Sequence, residues 1–82
     1  MKYFIIGSPG HHLFERAGEL CEEHGLEYEL AEITSISWKR LEWYHELAGT
    51  DFTETPQIFK FEENILDMTY VGNFDAFEEY LK

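Results

Sequence analysis

Apolar and polar residues follow regular patterns in the first half of the chain, and each pattern predicts one element. Residues 2–6, "KYFII", form a β-branched and aromatic run that "GSPG" closes, which predicts a buried strand and a turn. Residues 26–33, "LEYELAEI", alternate apolar with acidic side chains, as expected of a strand with one solvated face. Between them we predict a helix that ends at Gly25, because apolar residues recur at helical spacing at Leu13, Phe14, Ala17, Leu20 and Cys21.

The second half of the chain predicts a helix, a hairpin and a last helix. The stretch "TSIS", residues 34–37, supplies N-caps for a helix that ends at Gly49 and has an apolar stripe of Trp38, Leu41, Tyr44 and Leu47/Ala48. Residues 57–61 and 65–71 predict a β-hairpin across "EEN" that ends at Gly72. The closing "NFDAFEEYLK" predicts a short helix capped by Asn73.

The predicted order is therefore β-α-β-α-β-β-α. The first two strands are expected to lie parallel, because a helical crossover joins them. We expect one α/β domain over residues 1–82, with a mixed four-stranded sheet flanked by three helices. We find no internal repeat and no linker in the sequence.

Charge and cysteine content narrow the function. The 82 residues include 17 acidic and 6 basic side chains, a net charge of −11, which argues against nucleic acid or anionic membrane as partners and favours a neutral or basic protein. The four apolar residues before Gly7 are too few for a signal peptide or a membrane span, so a cytoplasmic protein is expected. Cys21 is the only cysteine, which excludes any two-thiol mechanism within this chain.

Three segments together resemble the glutaredoxin family. Residues 5–20, "IIGSPGHHLFERAGEL", resemble its strand, turn and first helix, where a Cys-x-x-Cys motif opens the helix. Residues 55–59, "TPQIF", match the threonine and cis-proline that enter its third strand, and residues 70–77, "YVGNFDAF", resemble its Gly-Gly-x-Asp turn. The resemblance covers nearly the whole chain and implies the glutaredoxin version of the thioredoxin fold.

The same alignment places His11 and Phe14 at the two cysteine positions of the motif. An imidazole cannot form the mixed disulfide that the family's chemistry needs, and a phenyl ring cannot resolve it. Dithiol oxidoreductase activity is therefore not expected. Cys21 is predicted to be a buried, unreactive thiol, because it lies about 10 Å beyond Phe14 along the helix and on its apolar stripe.

The resemblance also implies a remnant of the family's glutathione groove. Thr55, which precedes the expected cis-Pro56, would offer its backbone to the cysteinyl unit, and Asp75 would receive the γ-glutamyl amine. The implied groove residues are His11, His12, Leu13, Thr55, Pro56, Gly72, Asn73, Phe74 and Asp75.

Departures from the family pattern weaken this site. Ser8 and Thr53 stand where basic residues commonly hold the glycyl carboxylate, and Asn73 replaces a glycine, which hinders the close approach of a ligand. We therefore expect no required cofactor and at most weak glutathione binding.

The two adjacent histidines are candidate metal ligands or acid–base groups. His11 or His12 could pair with Glu15 on one helix face, but the sequence offers no second set of ligands, so no metal is predicted. Nothing near His11 in sequence identifies a nucleophile or an orienting carboxylate. A solvated helix start is the favoured interpretation.

Three functions remain open from the sequence. The leading hypothesis is a non-catalytic binding module that uses the remnant groove. The first alternative is a glutaredoxin-type oxidoreductase or electron donor that works through Cys21 or bound glutathione. The second alternative is an acidic protein that covers a basic partner surface. Trp43 lies off the main stripe of its helix and would anchor a partner if exposed.

Overall fold

A computed structural model describes residues 1–52 and 54–82 of the chain. The elements are β1 (Lys2–Gly7), α1 (His12–Glu23), β2 (Glu27–Glu32), α2 (Trp38–Ala48), β3 (Gln57–Phe61), β4 (Thr69–Asn73) and α3 (Phe74–Tyr80). The strand order is β2-β1-β3-β4, with β1 and β2 parallel and the other pairs antiparallel. The predicted mixed four-stranded sheet with three helices is confirmed.

The sheet separates two apolar cores, because successive residues of β1 point to opposite faces. Tyr3 and Ile5 pack with residues of α1 and α3, including Phe77. Phe4 and Ile6 face the other side, where α2 covers them with the fully buried Tyr44. The β1 strand is thus buried on both faces, which explains its uninterrupted apolar sequence.

The helix ends follow the sequence signals. The Ser37 hydroxyl accepts the Arg40 N–H at the start of α2, and Gly49 ends that helix in the left-handed conformation with a φ of 78°. Gly25 has a φ of 67° one residue after the C-cap of α1. These predicted ends are confirmed, because caps depend on residues next to the helix.

The hairpin prediction was wrong in two details. Residues 65–71 do not form one strand: Ile65–Asp67 is a 3-10 turn, which begins where the Asn64 side chain accepts the Leu66 N–H at 2.9 Å. The β4 strand therefore begins at Thr69, and it contains Gly72 instead of ending before it.

Two large apolar side chains, those of Trp38 and Leu30, are more exposed than the periodicity predicts. The stripe of α2 predicts an inward Trp38, but this side chain is 71% exposed; Trp43, off that stripe, is half-buried. Leu30 is 43% exposed because β2 is an edge strand with little cover at its outer side. No helix within the described residues is both long enough and apolar enough to cross a membrane.

Candidate functional site

The turn between β1 and α1 carries the two histidines. The His11 N–H donates to the Ser8 carbonyl at 3.1 Å, and the His11 Nδ1 accepts the Leu13 N–H at 3.2 Å, which makes His11 the N-cap of α1. Nδ1 accepts this bond only when it carries no proton. The exposed His12 ring stacks on His11 with centroids 4.9 Å apart. The pair forms a partly solvated helix start.

Phe14, in the first turn of α1, has a packed aromatic ring. The side chain is only 6% exposed and belongs to the core with Tyr3 and Phe77. A Cβ atom added to Gly7 would lie 2.2 Å from a Phe14 ring carbon, so the ring rests directly on the β1 backbone. The Phe14 ring therefore packs in the core, and it requires a glycine at position 7.

The entry to β3 lies beside that turn. The Thr55–Pro56 peptide bond is cis. The Thr55 and Ser8 hydroxyls are hydrogen-bonded at 2.9 Å, which ties the β1–α1 turn to the start of β3. The Ser8 side chain therefore holds two segments together.

These segments border a small cleft of about 50 Å³, lined by Leu13, Glu54, Thr55, Pro56, Asn73, Phe74 and Asp75. The structure thus brings together most of the residues that the resemblance implied. His11, His12 and Gly72 do not line the cleft.

Glu54 is a lining residue that the sequence analysis missed. It directly precedes the Thr-Pro pair, and that position was the only available signal. Its carboxylate accepts the Asn73 Nδ2–H at 2.8 Å, so the two residues bridge the cleft. Its carbonyl accepts a hydrogen bond from the buried Gln57 amide at 2.9 Å, and Gln57 in turn accepts the Tyr70 hydroxyl at 2.5 Å. Burial, together with the negative charge of Glu54, raises the pKa of Tyr70.

Asn73 has a different role from the one its position suggested. Its φ of −79° is ordinary extended backbone, and its Oδ1 accepts the Ala76 N–H at 3.0 Å as the N-cap of α3. The position that requires glycine is Gly72, with a φ of 142° and no room for a Cβ atom beside Ala76. Asn73 hinders a ligand through its side chain, which is held against Glu54, and not through backbone strain.

The charge of the cleft is negative. Glu54 and Asp75 line it, and no Lys or Arg is among the described lining residues. Thr53, which the resemblance aligns with a basic residue, lies outside the described residues. Across the described ranges, no three His, Cys, Asp or Glu side chains are grouped so that they could hold a metal ion.

Cys21 lies in the core and away from the cleft. It is fully buried among the residues that pack on α1. Burial, with a smaller effect of the neighbouring Glu22 charge, raises the pKa of its thiol to about 11. The prediction that this thiol is buried is confirmed.

Comparison with known proteins supports the fold. No protein-family model matches the chain, and the search of curated protein sequences found no match. Among solved structures, the chain is similar to the structure of E. coli glutaredoxin, with a TM-score of 0.66 and 24% sequence identity over 100% of this chain and 94% of that one. The chain therefore has the glutaredoxin type of the thioredoxin fold.

Proposed function

We propose that this glutaredoxin-like chain lacks dithiol redox activity and acts as a binding module through the cleft between α1, β3 and α3. The observation that carries the proposal is Phe14. Its buried ring, at the position that the resemblance assigns to the second cysteine, packs against Gly7, while the one thiol of the chain lies in the core at Cys21. No thiolate is available at the cleft to attack a disulfide.

The size of the cleft limits how a ligand binds. The cleft has a volume of about 50 Å³, which is less than two waters occupy at roughly 30 Å³ each in the liquid. A peptide would therefore lie across the cleft and insert at most one small group, unless the Asn73–Glu54 hydrogen bond opens. An extended peptide segment is the ligand that this shape supports.

The charge of the cleft favours neutral or cationic peptides over glutathione. Two carboxylates, Glu54 and Asp75, face a ligand, and glutathione carries a net negative charge near neutral pH. At about 4 Å, two unit charges interact by about 1 kcal/mol in water and more in a partly desolvated cleft. We therefore expect glutathione to bind weakly and a cationic analogue to bind better.

An NMR titration with two matched ligands tests the proposal. Glutathione and its diethyl ester share one backbone but differ in charge, since esterification removes both carboxylates. We expect saturable amide shifts confined to residues 8–14, 54–57 and 72–75, with the ester binding about tenfold more tightly. Glu54→Gln should narrow that difference, because it removes a charge while keeping an oxygen that accepts from Asn73. An absence of shifts with both ligands would contradict a binding role for this cleft.

A disulfide-reductase assay separates this proposal from the redox alternatives. We expect no turnover with glutathione and its reductase. Turnover that Cys21→Ser abolishes would establish a mechanism through that thiol and contradict the proposal. Turnover that survives Cys21→Ser would instead favour an electron donor that presents bound glutathione.

A further inference from the structure

The last turn of α3 presents a tyrosine whose hydroxyl is contacted by a cation. Tyr80 is 47% exposed, and its hydroxyl accepts a hydrogen bond from the Lys60 ammonium of β3. The same ammonium lies 4.6 Å from the centroid of the Tyr80 ring. The ring of Tyr3, from β1, packs edge-on against the Tyr80 ring with centroids 6.5 Å apart. Residues of two strands thus hold the Tyr80 side chain, while its outer side is open to solvent.

A cation at a phenol oxygen favours the phenolate, which is the nucleophilic form in acyl transfer. The hydrogen bond from Lys60 lowers the pKa of the Tyr80 hydroxyl, and the charge of Lys60 adds to this effect. The geometry therefore joins the two conditions for a reactive tyrosine, an accessible oxygen and a partner that stabilises its negative charge.

Two other tyrosines lie in the cores of the fold. Tyr3 is buried, and this burial, with a smaller effect of the neighbouring Tyr80, raises the pKa of Tyr3 to about 12. The Tyr44 hydroxyl accepts a hydrogen bond from the Arg40 guanidinium at 2.7 Å, but the residue is fully buried. A cationic partner alone is therefore not sufficient, because a reagent must also reach the oxygen.

The two remaining tyrosines donate their hydroxyl protons to neighbouring side chains. The Tyr28 hydroxyl donates to the Glu22 carboxylate at 2.6 Å, and this bond raises the pKa of Tyr28. The half-buried Tyr70 donates to Gln57, and burial raises its pKa. Both phenols are held in the neutral form. Among the five tyrosines, all of which lie in the described ranges, Tyr80 alone combines an exposed ring with a cation at its oxygen.

We propose that Tyr80 is an acyl-acceptor site that reacts selectively with neutral acylating compounds. Its oxygen forms an ester bond to the acyl carbon, the bond from that carbon to the leaving group breaks, and the leaving group takes up the proton that the phenol releases. Anionic donors such as phosphoryl compounds are disfavoured, because α3 carries Asp75, Glu78 and Glu79 and the chain has a net charge of −11. Tyr80 does not line the cleft, so the proposal goes beyond the binding role proposed above.

Acetylation by N-acetylimidazole, a neutral acyl donor, provides the assay. The protein is treated with a limiting amount of reagent near neutral pH, and the acetylated positions are followed over time by peptide mass spectrometry. We expect Tyr80 to be acetylated about tenfold or more faster than Tyr28, whose phenol is held protonated. Hydroxylamine should then remove the acetyl group, because it cleaves a phenyl ester and leaves an amide on lysine intact.

Substitutions of two lysines test the role of the cation. Lys60→Met should slow the acetylation of Tyr80 about threefold or more, since the lower phenolate fraction is offset in part by a more nucleophilic oxygen. Lys60→Arg keeps a cationic donor and should retain most of the rate. The matched control is Lys82→Met, which removes the same charge from a lysine that pairs with Glu79, and it should leave the rate unchanged. Circular dichroism establishes that each variant is folded.

The ultraviolet absorbance of the phenolate gives a second readout that needs no reagent. On titration with base, the first tyrosine to ionise in the native protein should be absent in Tyr80→Phe. Several outcomes would overturn the proposal: acetylation of Tyr28 as fast as that of Tyr80, an unchanged rate in Lys60→Met, a hydroxylamine-resistant acetyl group on Lys60 as the main product, or a first ionisation that persists in Tyr80→Phe.

Discussion

Replacement of Phe14 by cysteine tests whether the aromatic ring at this position is structural. The ring is 6% exposed and rests on the backbone of Gly7, where no side chain fits. Removal of the ring therefore leaves a cavity beside a strand that cannot supply new atoms. The Phe14→Cys protein should therefore be much less stable than the native protein.

The size of the effect follows from known core substitutions. Truncation of a buried Phe to Ala costs about 3–5 kcal/mol, and Phe14→Cys retains one heavy atom more, so we expect a loss of about 3 kcal/mol. Small domains are stable by about 5–15 kcal/mol, so the loss is a large part of the total.

Urea denaturation followed by circular dichroism measures this loss. With a slope of about 1.5 kcal/mol per molar urea, the midpoint should fall by about 2 M. Phe14→Leu, the control, keeps most of the apolar volume and should cost less than Phe14→Cys. A loss below about 1 kcal/mol for Phe14→Cys would refute the claim that the ring fills this site.

Three further results are expected. The Cys21 thiol should react with a thiol reagent only after denaturation. Rapid labelling of the native protein would contradict this burial. Because the pKa of the thiol rises from 9.0 to about 11 in the folded chain, the free energy of unfolding should fall as the pH rises through that interval, and it should fall less in Cys21→Ala. Asn73→Ala should cost about 1 kcal/mol as a lost N-cap, whereas Asn73→Ser should keep a capping oxygen and lose only the bond to Glu54; equal losses in urea titrations would argue against the cap. His11→Ala should lower the free energy of unfolding by about 1 kcal/mol, and His11→Ser should restore that stability. An unchanged stability in His11→Ala would show that the hydrogen bond from Leu13 to Nδ1 does not stabilise the fold.

The elements that the sequence predicts well depend on residues close together in the chain. The α2 helix begins at a serine cap and ends at Gly49 as predicted, because caps and left-handed glycines act within one turn. The β1 strand and the inward stripe of α1 were likewise predicted from periodicity alone. The region around Ile65 was not, because the same apolar run suits either a strand or a capped turn, and Asn64 decides between them.

The candidate cleft was predicted only in part, because its residues come from segments that are far apart in the chain. The Thr55–Pro56 pair and the Asn73–Asp75 turn were identified by resemblance, and the structure places them together. Glu54 was missed because its importance lies in a hydrogen bond to a residue 19 positions away. No local pattern reports such a contact.

The sequence by itself determined that this chain has one cysteine, Cys21, and that its apolar and polar residues follow the periods of strands and helices in the order of a mixed α/β sheet. These are properties of composition and local period, which do not depend on how the elements pack. The tertiary structure decided that Phe14 rests on Gly7, that Glu54 accepts a hydrogen bond from Asn73, and that carboxylates line the cleft. Those properties depend on how elements far apart in the chain are packed against each other, which only the assembled sheet and helices specify.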